Sequence, residues 1–130
     1  MCGIAGYIGP ELPGVLEDMT ARVAHRGPDQ RACWRDAARQ VHLGHSRLAI
    51  LDRAGGAQPM STSDGALTVV FNGENYNATE QRAQLTARGH RFISDHSDTE
   101  TLLHGYRERG PQLREKLNGM WAFAIHAAGG

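Results

Sequence analysis

The chain has 130 residues, with 14 Lys and Arg against 14 Asp and Glu, enough for one modest domain with a real core and too few for two. A formal charge of zero gives no basic footprint for nucleic acid or an anionic membrane, and no apolar run approaches the length of a bilayer span. Two cysteines, Cys2 and Cys33, make no disulfide framework, and Gly9-Pro10-Glu11 interrupts the apolar opening before a signal-peptide core forms. Residues 3–9 read as a short buried strand. A helix follows from Pro13, with Val15, Leu16, Met19 and Val23 on one face, and it ends before the loop His25-Arg26-Gly27-Pro28-Asp29. Residues 41–51 read as one long strand or a strand pair. A polar connection over 52–65 leads to the strand 66–71. Residues 76–88 look helical and stop at Gly89, and a short strand is expected around Arg91–Ile93. Ser97-Asp98-Thr99-Glu100 has capping-box spacing and opens a helix carrying Leu102, Leu103 and Tyr106. A shorter helix near 113–117 precedes a last apolar strand, Met120 to Ile125. Strands before, between and after helices, with no repeats, read as α+β with mainly antiparallel pairing.

Cys2 carries the most chemical information. A small second residue lets the initiator methionine be removed, and Cys2 then holds a thiol and a free α-amine on one residue. That is a nucleophile and a base already within reach of each other. The plainer alternative is a cysteine that simply begins a buried strand. A thiol that must stay reactive points to a reducing cytoplasm.

Five segments fall in order: Cys2-Gly3-Ile4, His25-Arg26-Gly27-Pro28-Asp29, His45-Ser46-Arg47-Leu48-Ala49-Ile50, Asn72-Gly73-Glu74 and Ser97-Asp98-Thr99-Glu100. Together they closely resemble the glutamine amidotransferase type 2 domain at the N-terminus of glutamine-hydrolysing asparagine synthetases, a branch of the N-terminal nucleophile hydrolases. The resemblance covers essentially the whole chain and implies a four-layer αββα sandwich of two antiparallel sheets between helices. It also implies hydrolysis of the side-chain amide of L-glutamine, with Cys2 forming a thioester and its own amine acting as base and later acid. In that family Asn72 and the N–H of Gly73 form the oxyanion hole. Arg47 grips the α-carboxylate, Asp98 accepts from the α-ammonium with Glu74 nearby, and backbone around Leu48 and Ile50 lines the pocket. Arg26 takes a supporting role beside the nucleophile.

Each assignment has a structural alternative. Asn72-Gly73 is also a strong type I′ hairpin signal. An arginine at a strand end is commonly solvated, although only Arg can meet a carboxylate with two parallel bonds. An acid in the first turn of a helix is favoured by the macrodipole whether or not it binds a ligand. His42 and His45, three apart in a strand, point to opposite faces and make a poor metal pair, so no metal site is expected. The other histidines read as scattered surface or packing residues, and Cys33 as a buried small hydrophobe.

Two departures from the family pattern stand out. Asn75 occupies a place where the family has an aliphatic residue, and buried there it needs partners. The family continues beyond Met120–Ile125 into further strands and then a synthetase domain, so residues 1–130 correspond to a partial glutaminase domain, incomplete at the C-terminus. A sheet edge or apolar face is expected to lie uncovered. The expected partner is a C-terminal synthetase domain or a separate chain. No cofactor is expected in this chain, ATP and Mg being implied only for the synthetase domain. The alternatives are a glutamine-binding or interaction fragment without turnover, and the glutaminase half of an amidotransferase acting on a carboxylate other than aspartate.

Overall fold

The computed structural model describes residues 2–48, 56–94 and 97–128. Two three-stranded antiparallel sheets lie face to face, each covered on its outer side by helix. The first sheet has the order β1-β3-β2, with β1 at Gly3–Ile8, β2 at Gln30–Asp36 and β3 at Val41–Arg47. The second has the order β4-β5-β6, with β4 at Met60–Ser61, β5 at Leu67–Asn75 and β6 at Gly119–Ala127. Helix α1 (Val15–Arg22) packs on the first sheet; α2 (Ala78–Ala87) and α3 (Asp98–Arg109) lie on the side of the second. This is the α+β, αββα layering expected from the sequence.

Strand alternation in β3 builds the layers. Ser46 donates its hydroxyl to Thr20 O of α1 at 2.8 Å, and a Cβ on Gly44 would lie 2.0 Å from Thr20 Oγ1, so glycine lets the helix sit directly on the sheet. Val41 and Leu43 point the other way and pack with Val70 of β5 between the sheets. On the outer face of the second sheet, Leu67, Val69 and Phe71 bury against Leu102, Leu103 and Leu113, each fully buried side chain contributing about 1.5–3 kcal/mol. Leu102 and Leu103 thus serve the core, as their spacing predicts, with Tyr106 packed beside them.

Several elements differ from expectation. Helix α1 starts at Val15 after Gly14, whose φ of 77° places it in the left-handed region, so Pro13 lies outside it. β2 was not visible in the sequence, and β4 is only two residues long. Residues 91–93 are not a strand: Arg82 donates to Ser94, and the Ile93 and Ser94 amides go to the Glu100 carboxylate instead of a ladder. Glu100 therefore satisfies that loop while its own N–H reaches Ser97 Oγ at 3.4 Å, which gives a Ser97 cap without a reciprocal box. Gly110–Lys116 is 3₁₀, and Cys33 is half-buried.

Both β1 and β6 are edge strands, each paired on one side only among the described residues. Ile8, Met120 and Trp121 are exposed on them. Between them opens an apolar groove of about 900 Å³ that includes Ile4, Ile8, Val23, Val41 and Ile125. The uncovered edge and apolar face expected from the sequence are present.

Candidate active site

Cys2 immediately precedes β1 and is held from two directions. Arg26, at the end of a 3₁₀ turn over Ala24–Arg26, donates its Nε to Cys2 O at 3.0 Å. Leu48 N, just past β3, donates to Cys2 Sγ at 3.3 Å, and the thiol faces Leu48 O at 3.7 Å. The loop carrying Arg26 is pressed onto the end of β3. Gly27 leaves so little room that a Cβ there would lie 2.3 Å from Ser46 O, and Asp29 N donates to Arg47 O at 2.9 Å. One packed junction therefore fixes Cys2, Arg26 and the start of the segment after Arg47.

Arg47 is 4% exposed, so the solvated alternative is overturned. It shares the inter-sheet face of β3 with Val41, Leu43 and His45, and its guanidinium donates to Gln30 Oε1 of β2 at 2.8 Å. An arginine this buried is oriented by a fixed partner, as recognition of a carboxylate requires.

Asn72 and Gly73 do not form a hairpin turn. They lie inside β5, with Asn72 opposite Ala122 and Gly73 opposite Trp121 of β6. Nine consecutive pairs with β6 override the local turn signal. Gly73 has φ 149°, and a Cβ there would lie 2.0 Å from Met120 O; the position demands glycine sterically and conformationally. Asn72 is half-buried and its Oδ1 has no hydrogen-bond partner among the described residues.

Asp98 is the first residue of α3, and its Oδ2 accepts from Asn75 N at 3.3 Å. Burial pushes its carboxyl above the ordinary aspartate range, the Asn75, Asp98 and Thr99 amides oppose this, and the neighbouring Glu74 carboxylate adds to the rise.

These residues converge. Cys2, Arg47, Leu48, Asn72, Gly73, Glu74 and Asp98 all line one cleft of about 170 Å³. The residues expected as nucleophile, oxyanion donors and zwitterion contacts thus line one cleft, while Ile50 lies outside the described residues. Arg26 stands behind Cys2, not in the cleft. Gln58, Thr99 and Met120 also line the cleft and Gln30 buttresses Arg47; Thr99 and Met120 fall within segments read from the sequence but take no site role there, and Gln58 and Gln30 carry no sequence signal, because their places follow from tertiary packing. Asn75 is 6% exposed, donates to Gln81 Oε1 at 3.0 Å and leaves its own Oδ1 unpaired among the described residues, so its demand for partners is half met there.

The histidines divide. His42 stacks on Tyr7, and His45, fully buried, donates from Nε2 to Phe71 O at 3.0 Å across the sheets. His90 and His104 are not scattered: their Nδ1 atoms meet at 3.0 Å, and each ring reaches a glutamate, Glu108 and Glu100. Among the described residues no group of three or more His, Cys, Asp or Glu is arranged to hold a metal. No helix there is long and apolar enough to cross a membrane.

The family model described as "Glutamine amidotransferase domain" matches residues 1–129. The chain belongs to this glutamine amidotransferase family. It is 41% identical over 132 residues to asparagine synthetase [glutamine-hydrolyzing] 3 of Bacillus subtilis and 36% identical to asparagine synthetase [glutamine-hydrolyzing] 2 of Oryza sativa, each alignment covering 96% of the chain. It spans 21% of the length of each of these relatives. Among solved structures, the glutamine phosphoribosylpyrophosphate amidotransferase of B. subtilis superposes over 97% of this chain and 29% of its own, with a TM-score of 0.56 and 23% identity. That likeness places the chain in the amidotransferase fold, consistent with an incomplete αββα sandwich.

Proposed function

We propose that this chain hydrolyses the side-chain amide of L-glutamine, with Cys2 as nucleophile, once Met1 has been removed. The observation that carries the reading is the cleft itself, where a thiol, an asparagine and glycine pair, a buried arginine and a buried carboxylate converge. Glutamine binds with its α-carboxylate on Arg47 and its α-ammonium on Asp98, Glu74 adding a polar contact and the backbone at Leu48 a wall. The Cys2 sulfur attacks the amide carbon while its α-amine takes the thiol proton. The oxyanion is held by Asn72 and Gly73 N–H, where loss of one such donor typically costs about 2.7–4 kcal/mol. The protonated amine returns its proton to the departing nitrogen; ammonia leaves and a thioester remains. Water then cleaves the thioester to glutamate and free thiol. These steps draw on no cofactor in this chain. Arg26 fixes the Cys2 carbonyl so that the sulfur keeps its aim.

The ammonia goes, on this reading, to a synthetase domain or partner chain, where ATP and Mg activate a carboxylate and asparagine is made. The uncovered β1 and β6 edges and the apolar groove between them support packing of further polypeptide there. A nucleophilic thiol favours a reducing compartment, and we place the protein in the cytoplasm. Intact-mass analysis with a chloroketone analogue of glutamine tests the site. One covalent adduct on Cys2, suppressed by excess L-glutamine, is expected; labelling that glutamine does not slow contradicts the reading.

A further inference from the structure

β4 and β5 pair through Met60↔Val69 and Ser61↔Thr68, a register that, continued, sets position 58 opposite Phe71. β4 ends before reaching that point, leaving the N–H and C=O of Phe71 without a strand partner on that side. Such groups must be satisfied when buried, and Phe71 is 2% exposed. Two side chains from different elements do this. Gln58 Oε1 accepts from Phe71 N at 2.6 Å, and His45 Nε2, reaching across from β3, donates to Phe71 O at 3.0 Å. The next residue is Asn72. The other end of the Gln58 amide donates to Thr99 Oγ1 at 3.2 Å, next to Asp98 in the first turn of α3.

We propose that Gln58 and His45 are positioning residues for amide hydrolysis, clamping the Phe71 peptide so that the Asn72 and Gly73 donors meet the developing oxyanion. Gln58 also ties that half of the cleft to the helix end that carries Asp98. The proposal rests on the amidotransferase reading. It goes beyond it by giving catalytic consequence to Gln58 and His45 through the Phe71 backbone they hold. An oxyanion hole tolerates little displacement, because its donors must be in place before charge develops.

The test compares Gln58→Ala, Gln58→Glu and His45→Gln with the parent chain carrying an N-terminal Cys2. Glutamate bears an oxygen acceptor for Phe71 N–H and accepts from the Thr99 hydroxyl; glutamine at 45 can reproduce an amide donor. Gln58→Ala is expected to lower kcat for glutamine about 10- to 100-fold with KM changed much less. Gln58→Glu recovers most of that loss, and His45→Gln, which keeps an amide donor for Phe71 O, lowers kcat much less than Gln58→Ala does. Alkylation of Cys2 by iodoacetamide, which needs no oxyanion hole, proceeds at the parent rate in all. A kcat within twofold of the parent in Gln58→Ala, or a fall matched by an equal loss of alkylation, overturns the proposal. A parent chain that releases no glutamate defeats the amidotransferase reading instead. The clamp is then read from hydrogen exchange at the Phe71 amide, which Gln58→Ala accelerates at least about tenfold if the bond is the anchor; unchanged exchange overturns it.

Discussion

Gly73→Ala puts the geometry of the site under direct strain. The added Cβ would meet Met120 O at 2.0 Å, Trp121 Cα at 2.7 Å and Met120 C at 3.0 Å, all of them backbone that cannot rotate away. β5 and β6 must part by about an ångström at the Gly73–Trp121 pair. Holding a non-glycine residue at φ 149° adds backbone strain. Strain of about 1–3 kcal/mol and overpacking of about 1–3 kcal/mol give a total of about 2–6 kcal/mol. For a domain of this size that lowers the thermal midpoint by about 7–22 °C. Gly65→Ala is the control: φ is 73° there and a Cβ meets nothing within 4 Å, so only the conformational part of the cost remains. Calorimetry on both variants separates overlap from strain. Equal shifts for Gly73→Ala and Gly65→Ala, or a Gly73→Ala protein that melts within about 3 °C of the parent, refute the steric reasoning.

Other outcomes follow from the same geometry. Arg47→Lys keeps the charge but loses the paired donors, and is expected to raise KM for glutamine about 10- to 100-fold with little change in kcat; steady-state kinetics that show kcat falling instead contradict a binding role. Asp98→Asn removes the ammonium contact. Because the Asp98 pKa is raised by burial, KM in the parent should climb as pH falls toward that raised value, and this acid limb should vanish in Asp98→Asn, as a pH series of KM would show. His45 and His104 both have pKa values lowered by burial. The unfolded chain therefore takes up these protons first, and their contribution to stability, complete above about pH 7, is lost as pH falls through the ordinary histidine range toward the lowered values. Asp98 works in the opposite sense at lower pH. A thermal midpoint that stays level or rises from pH 7 to pH 5.5 contradicts the histidine assignment.

What the sequence disclosed and withheld has physical reasons. β5 and α3 are legible because each buries apolar side chains, and Ser97 announces the start of α3; β1 is legible as an apolar run, but it is a half-buried edge strand with Ile8 exposed and not the buried strand the sequence suggests. β2 is not legible, because it is an edge strand whose first three residues are exposed, so Gln30–Asp36 carries no alternation to read. The Asn72-Gly73 pair misleads in isolation because a two-residue turn signal is local, whereas the ladder with β6 that absorbs it depends on residues some fifty positions away. Arg47 and Asp98 are recognisable by residue type, but the depth at which Arg47 is buried depends on Gln30 meeting it from β2. Gln58 is invisible for another reason. Its function arises where β4 stops, and a missing ladder partner leaves no pattern in sequence. The Asn75–Gln81 pair lies between: Asn75 stands out in the motif, but its partner is known only once α2, packed on α3, brings Gln81 to it.

The most direct measurement is glutamate release from L-glutamine by protein whose N-terminus is verified as Cys2, beside a Cys2→Ala variant. Glutamate and ammonia appearing in equal amounts with the parent and neither with the variant is the result this account predicts. Release that persists in Cys2→Ala, or none from a folded parent that binds glutamine, contradicts it.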